Sequence, residues 1–258
     1  MPGEIYMAAA AALAYEKRLE VVANNLANVN TAGFKRDEVS FQAYLTSAEG
    51  QVQAVQAPYQ SAASGSSFWI SYESRTDFTP GPLKMTGNTL DLALNGKGFF
   101  SVESPSGTVY TRRGNFTLSS EGVLVTQEGW PVQGEGGSEI RIEDRKGGPN
   151  GLEVTIGKDG TVQVNGRMVG RVNVEDFPQA GTLTRTEKGY FKATGGAGGE
   201  PVEDISVAQG YLEMSNVEAV SGMVEMIEIL RGYESYQRVI RAVDDVNSKS
   251  ISEVGRTT

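Results

Sequence analysis

The sequence predicts an α+β protein. Long N- and C-terminal helices pack as a coiled-coil layer, and a central antiparallel β domain lies between them. Two observations carry this. Apolar residues recur at helical spacing near both ends of the 258-residue chain, in alternating steps of three and four at the N-terminal end, the spacing of a helix with an apolar seam. Most of the 32 glycines and all but one of the nine prolines fall between Phe41 and Gln209, where they punctuate short alternating runs of strand type.

The first helix rests on the series Ile5, Ala8, Ala12, Tyr15, Leu19, Val22, Leu26 and Val29. Ala, Leu and Glu along this stretch favour helix. Thr31-Ala32-Gly33 ends it, with Gly33 suited to a left-handed cap. Ser47 to Ser74 is rich in Gln, Ala and Ser and has no clear period, so it reads as an extended or loop-like connector. Strands are expected at Phe99–Val102, Val109–Thr111, Phe116–Leu118, Val123–Val125, Thr161–Val164 and Met168–Val169. The Asp159-Gly160 and Asn165-Gly166 pairs between them are hairpin signals, because these residues tolerate positive φ. Gly195 to Gly199 is a glycine-rich loop. Ser215-Asn216-Val217-Glu218 fits a capping box opening a second helix. Its stripe runs through Val220, Met223, Met226, Ile227, Leu230, Tyr233, Tyr236, Ile240, Val243 and Val246, to about Val254. The resulting division is 1–40, N-terminal helix; 41–76, connector; 77–209, central β domain; 210–258, C-terminal helix.

A helix of that length is not covered by one small β domain, so its stripe needs a partner. The matching N-terminal seam supplies one, but two helices make a thin core. Tyr15, Tyr233 and Tyr236 are free to face neighbouring copies, and the expectation is self-association through the terminal helices. The alternative is an intramolecular hairpin with a solvated outer face.

Chemical motifs are scarce. The chain contains no Cys and no His, which removes disulfides, the usual zinc ligands, the commonest general base and every Ser–His triad. A net charge of −9 opposes binding to nucleic acid or anionic lipid. No run reaches 18 apolar residues, so membrane insertion is not expected. Gly96-Lys97-Gly98-Phe99 lacks the third glycine of a dinucleotide fingerprint, and Asp91 reads as a turn or strand-edge residue. No enzyme activity, cofactor or metal is expected. The alanine-rich N-terminus has no basic flank and is a poor secretory signal, which leaves a cytoplasmic protein or one exported without a cleaved signal.

Four stretches, taken in order, are distinctive. They are Ala23-Asn24-Asn25-Leu26-Ala27-Asn28-Val29-Asn30-Thr31-Ala32-Gly33-Phe34-Lys35; Thr86-Gly87-Asn88-Thr89-Leu90-Asp91-Leu92-Ala93-Leu94-Asn95-Gly96-Lys97-Gly98-Phe99-Phe100; Tyr110-Thr111-Arg112-Arg113-Gly114-Asn115-Phe116; and Ser215-Asn216-Val217 with Met223, Met226-Ile227 and Arg231-Gly232-Tyr233-Glu234. Together they resemble the rod and hook axial proteins of the bacterial flagellum. The short span before the first β strand, and Asp77-Phe78-Thr79-Pro80-Gly81-Pro82-Leu83, are most similar to a proximal-rod member.

The resemblance implies a structural subunit of the basal-body rod that assembles helically and transmits torque across the periplasm. Its implied partners are copies of itself, other flagellar rod proteins and the flagellar type III export apparatus. Leu19, Val22 and Leu26 would supply seam contacts. Asn24, Asn25 and Asn28 would fix register between helices, or alternatively cap a helix end. Met223, Met226, Ile227, Leu230, Tyr233, Tyr236 and Ile240 would anchor neighbours. A distal-rod subunit is one alternative. A non-flagellar carbohydrate-active β module with a coiled-coil handle is the other, and it requires a pocket pairing Trp130 with two carboxylates.

Overall fold

Both ends of the chain are helical, and the middle is built of short strands. The computed structural model describes residues 2–46, 52–54, 67–142, 153–178, 180–194, 198–202 and 205–254. The chain divides into two compact units. One comprises Met1–Ala27, Asp37–Arg75 and Glu218–Thr258, and the other Asn28–Arg36 and Thr76–Val217.

In the helical unit, α1 spans Pro2–Ala27 and α2 spans Ala219–Val254. The α1 face that carries the spacing pattern is the covered one. Ala8, Ala12 and Val22 are buried, and Tyr15, Leu19 and Leu26 are half-buried. Val29 falls beyond the helix end, in a turn. The helices run antiparallel. Leu26 lies beside Gly222, Arg18 pairs with Glu225 at 2.7 Å, and the rings of Tyr15 and Tyr236 meet at 5.5 Å. Gly232 makes room for this approach, because a methyl group there would sit 2.3 Å from the Tyr15 ring.

The same unit holds a three-stranded sheet. Asp37–Thr46 is central, flanked by Val52–Ala54 and Ser67–Thr76. Strand Asp37–Thr46 was not expected from the sequence. Its signal is nevertheless present, since Val39 and Phe41 are half-buried while Glu38, Ser40 and Gln42 are exposed, the two-residue period of a half-covered strand. Strand Ser67–Thr76 likewise occupies part of the expected connector. Most of the rest of that connector, 47–51 and 55–66, lies outside the described residues, as does most of the glycine run at 195–199.

In the β unit, a six-stranded antiparallel sheet has the order 183–185, 191–193, 107–111, 99–104, 174–176, 200–201. Both of its faces are covered. Phe99 points to one face and packs with Phe78, Phe177 and Phe191. Phe100 points to the other and meets Phe116 within a larger cluster around Leu92, Leu124 and Val162. Consecutive strand residues alternate sides, which is why a Phe-Phe pair anchors two cores at once.

Several expected turns are present. Strand Thr161–Val164 returns as Arg167–Arg171 through Asn165 (φ 49°) and Gly166 (φ 75°), the paired positive φ of a tight hairpin. Asp91 is a buried turn residue accepting from Thr86 Oγ1 at 2.6 Å and Asn88 Nδ2 at 3.1 Å. The capping box does not form as expected. Ser215 Oγ accepts from the Val217 amide at 3.2 Å, Glu218 accepts from Ser221 Oγ at 2.8 Å, and α2 begins only at Ala219. The serine is buried within the β unit, so its hydroxyl closes a local turn rather than capping the helix.

Candidate assembly surface

The helix pair has an inner face and, among the described residues, an outer face left exposed. An α-helix turns 100° per residue, so positions 222, 225, 229, 232 and 236 share the side of α2 that meets α1. Ile229 on that side is 2% exposed. Two residues earlier and 200° around, Ile227 is 51% exposed. Val220, Met223, Val224 and Leu230 accompany it on the outside. This is a continuous apolar stripe in water, and its length far exceeds the isolated surface hydrophobes of ordinary monomers.

The β unit has the opposite character at its most charged point. Glu213 is 1% exposed, and its carboxylate accepts from three donors drawn from three segments. Lys35 Nζ donates at 2.5 Å, the Gly81 amide at 3.0 Å and Arg112 Nη1 at 3.2 Å. Lys35 also donates to the Thr79 carbonyl at 2.8 Å, and Arg112 to the Gly96 carbonyl at 2.7 Å. Arg185 donates to the Lys35 carbonyl and stacks over Phe34 at 4.7 Å. Burial pushes both the Lys35 ammonium and the Arg112 guanidinium down from their ordinary values, and Glu213 opposes that shift in each. Gly33, at φ 66°, passes so near Arg112 that a methyl group would lie 2.4 Å from its backbone. Beside the cluster, Asn216 accepts from the Arg36 amide at 2.8 Å and donates to the Asp77 carbonyl at 2.9 Å. Burial works to raise the Asp77 pKa, but hydrogen bonds from Thr79 and Arg36 outweigh it and hold the carboxyl below its ordinary value.

The residues singled out from sequence fall into three groups. Met223, Ile227 and Leu230 lie exposed on the outer stripe. Val22 is buried and Leu19, Leu26, Met226, Tyr233, Tyr236 and Ile240 are half-buried. The asparagines act locally. Asn25 donates to the Asp37 carbonyl at 2.8 Å and accepts its amide at 2.9 Å, tying α1 to the first strand. Asn28 accepts from Thr31 Oγ1 at 3.2 Å in the turn after α1, and Asn24 is exposed. Of the tyrosines, Tyr15 and Tyr236 meet across the helix pair, and half-buried Tyr233 accepts from Gln237 of its own helix at 3.1 Å. Sequence reasoning passed over Ile229, although it shares a helix face with Gly222 and Gly232. It also passed over Glu213, whose two cationic partners lie 178 and 101 residues away.

Trp130 packs on Tyr190 at 4.8 Å. Glu128, beside this pair, accepts from Tyr190 and from Arg113 at 3.2 Å. The described residues hold no group of three acidic side chains suited to a metal.

Three family descriptions match the chain in order. "Flagella basal body rod protein" covers residues 5–35, "Flagellar hook protein FlgE/F/G D1 domain" covers 93–164, and "Flagellar basal body rod FlgEFG protein C-terminal" covers 208–253. The flagellar basal-body rod protein FlgF of Caulobacter vibrioides is 34% identical over 99% of both chains. FlgF of Mesorhizobium japonicum is 32% identical over 99% of both. FlgG of Bacillus subtilis is 32% identical over 90% of this chain and 91% of its own. The fold and these matches define a structural axial protein of the bacterial flagellum. The chain belongs to the flagellar basal-body rod family, is FlgF-like along its full length, and is a subunit of the basal body. No helix among the described residues is long and apolar enough to cross a membrane.

Proposed function

We propose that this chain is a proximal-rod subunit that assembles helically through α1 and α2 and carries torque across the periplasm. The observation that carries this reading is the outer apolar stripe of α2, long, continuous and exposed on a family member whose relatives build a rod. Met223, Ile227 and Leu230 are its outward anchors. Leu19, Val22, Leu26, Met226, Tyr233, Tyr236 and Ile240 hold the helix pair in shape, and the 4-3-4-3-4 spacing from Ala8 to Leu26 suits coiled-coil packing. Asn24, Asn25 and Asn28 set the exit from α1 and the entry into the strand at Asp37. Partners are other copies and other rod proteins, reached after export by the flagellar type III apparatus. The work is mechanical and needs no catalytic group.

A distal-rod role is the second reading, favoured by the FlgG relatives at 30–34% identity. FlgF matches of 99% coverage on both sides favour the proximal one. Gene replacement in Caulobacter vibrioides separates them. The proximal reading expects motility to return in a strain lacking FlgF and not in one lacking FlgG, and the reverse pattern would overturn it.

A further inference from the structure

The chain passes between the two units four times, after Ala27, Arg36, Arg75 and Val217. Three of these passages leave the β unit beside residues joined by one side chain. Asn216 is half-buried. Its Oδ1 accepts from the Arg36 amide at 2.8 Å. Its Nδ2 donates to the Asp77 carbonyl at 2.9 Å, the Thr79 carbonyl at 3.2 Å and Thr79 Oγ1 at 3.1 Å. The partners fix the orientation of the amide, because a backbone N–H only donates and a backbone carbonyl only accepts. Aspartate offers no donor here, and leucine of similar size offers neither arm. The same segments are tied again around it. The Asp77 amide donates to the Arg36 carbonyl at 2.9 Å, Arg36 Nε to Asp77 Oδ2 at 2.9 Å, and Lys35 Nζ to the Thr79 carbonyl at 2.8 Å. Asn216 belongs to the stretch that the sequence marks as a capping box, yet α2 begins only at Ala219, so its amide is not spent on the helix.

We propose that Asn216 is a load-sharing staple, a positioning residue that makes three exits from the β unit move as one. This rests on the mechanical reading above and names a residue through which load enters the β unit. Bonds in parallel divide a force, whereas bonds met one after another each carry all of it. Left untied, each exit would take load alone, and its few hydrogen bonds would peel in turn. Tied through one planar amide, a pull on any exit is divided among the three. The staple also has a fixed seat. Lys35 adjoins Arg36 in the chain, and Glu213 lies three residues before Asn216. These two and Arg112 form the buried charge cluster, each 4% exposed or less. A half-buried polar network of this kind holds its members in one geometry when every arm is met.

Two measurements on the full chain test this. The first is hydrogen exchange, read amide by amide. In Asn216→Ala the Arg36 amide should exchange about tenfold faster, the worth of one hydrogen bond. The amides of Leu124 and Val132, bonded within the β unit to Ile140 and Leu124, should keep their rates. Asn216→Asp keeps the acceptor, so there the Arg36 amide should stay protected. An Arg36 amide unchanged in Asn216→Ala would overturn the staple whatever the chain does in the cell. The second is swimming of a Caulobacter vibrioides strain lacking FlgF and supplied with each variant. Asn216→Ala should swim in thin medium and fail as viscosity raises the load. A repair variant adds Arg36→Cys and Asp77→Cys to Asn216→Ala, in a chain with no native cysteine. The backbones there already meet through a hydrogen bond, within reach of a disulfide, and the oxidised bond should restore swimming under load. Equal loss in thin and viscous media would mean a merely structural role and overturn the proposal. So would load sensitivity that persists with the disulfide formed, or no defect under load. A wild-type chain that restores no swimming would overturn the mechanical reading and the load-sharing role with it.

Discussion

The two units handle their awkward residues in opposite ways. In the β unit the awkward residues are charges. Lys35, Arg112 and Glu213 are buried together, and the carboxylate is met by both cations and a backbone amide. In the helical unit they are apolar side chains left in water, with Ile227 and Val220 exposed beside a buried Ile229. Buried charge is tolerable only when its partners are already present, so the β unit is complete within one chain. Exposed hydrophobic surface gains free energy only when something covers it, and on the reading proposed above other copies cover the stripe of the helical unit. A rod subunit needs both: a body that keeps its shape under load, and ends that bind.

The largest expected effect is in the charge cluster. Glu213→Gln strands two buried cations and should lower stability in urea unfolding by about 3–5 kcal/mol. Next is Ile229→Ala, which empties the inner face of α2 and should cost about 2–5 kcal/mol. Ile227→Ala, two residues away, should leave monomer stability within about 0.5 kcal/mol. Equal losses at 227 and 229 would erase the distinction between inner and outer faces. Gly33→Ala should cost at least about 1–2 kcal/mol for its left-handed backbone alone, and more for the collision with Arg112. Asp77→Asn gives the smallest effect, visible only in the pH dependence. The folded-state carboxyl pKa is held below its unfolded value. Its contribution is therefore present above about pH 4 and lost as pH falls through the folded value. Wild type and variant should differ at neutral pH and converge in acid, and a gap that widens in acid would refute the sign.

Much of this was readable because the signals were local. The spacing from Ala8 to Leu26 marks the covered face of α1, and the Asn165-Gly166 pair marks its hairpin. Phe99 and Phe100 sit in a strand as expected, but which core each joins depends on packing partners elsewhere in the chain. The misses share a cause. Ile229 is one apolar residue among many on α2, and spacing alone does not say which of two apolar faces turns inward. Glu213 looks like any surface glutamate until Lys35 and Arg112 are brought to it.

The most direct test of the central claim is sedimentation velocity of the wild-type chain and Ile227→Glu across a concentration series, with urea unfolding measured on the same samples. The account predicts that the wild type forms larger species as concentration rises. It predicts that Ile227→Glu remains monomeric with an unchanged unfolding midpoint. Association that survives the substitution undiminished would contradict the claim that the outer face of α2 is the assembly surface.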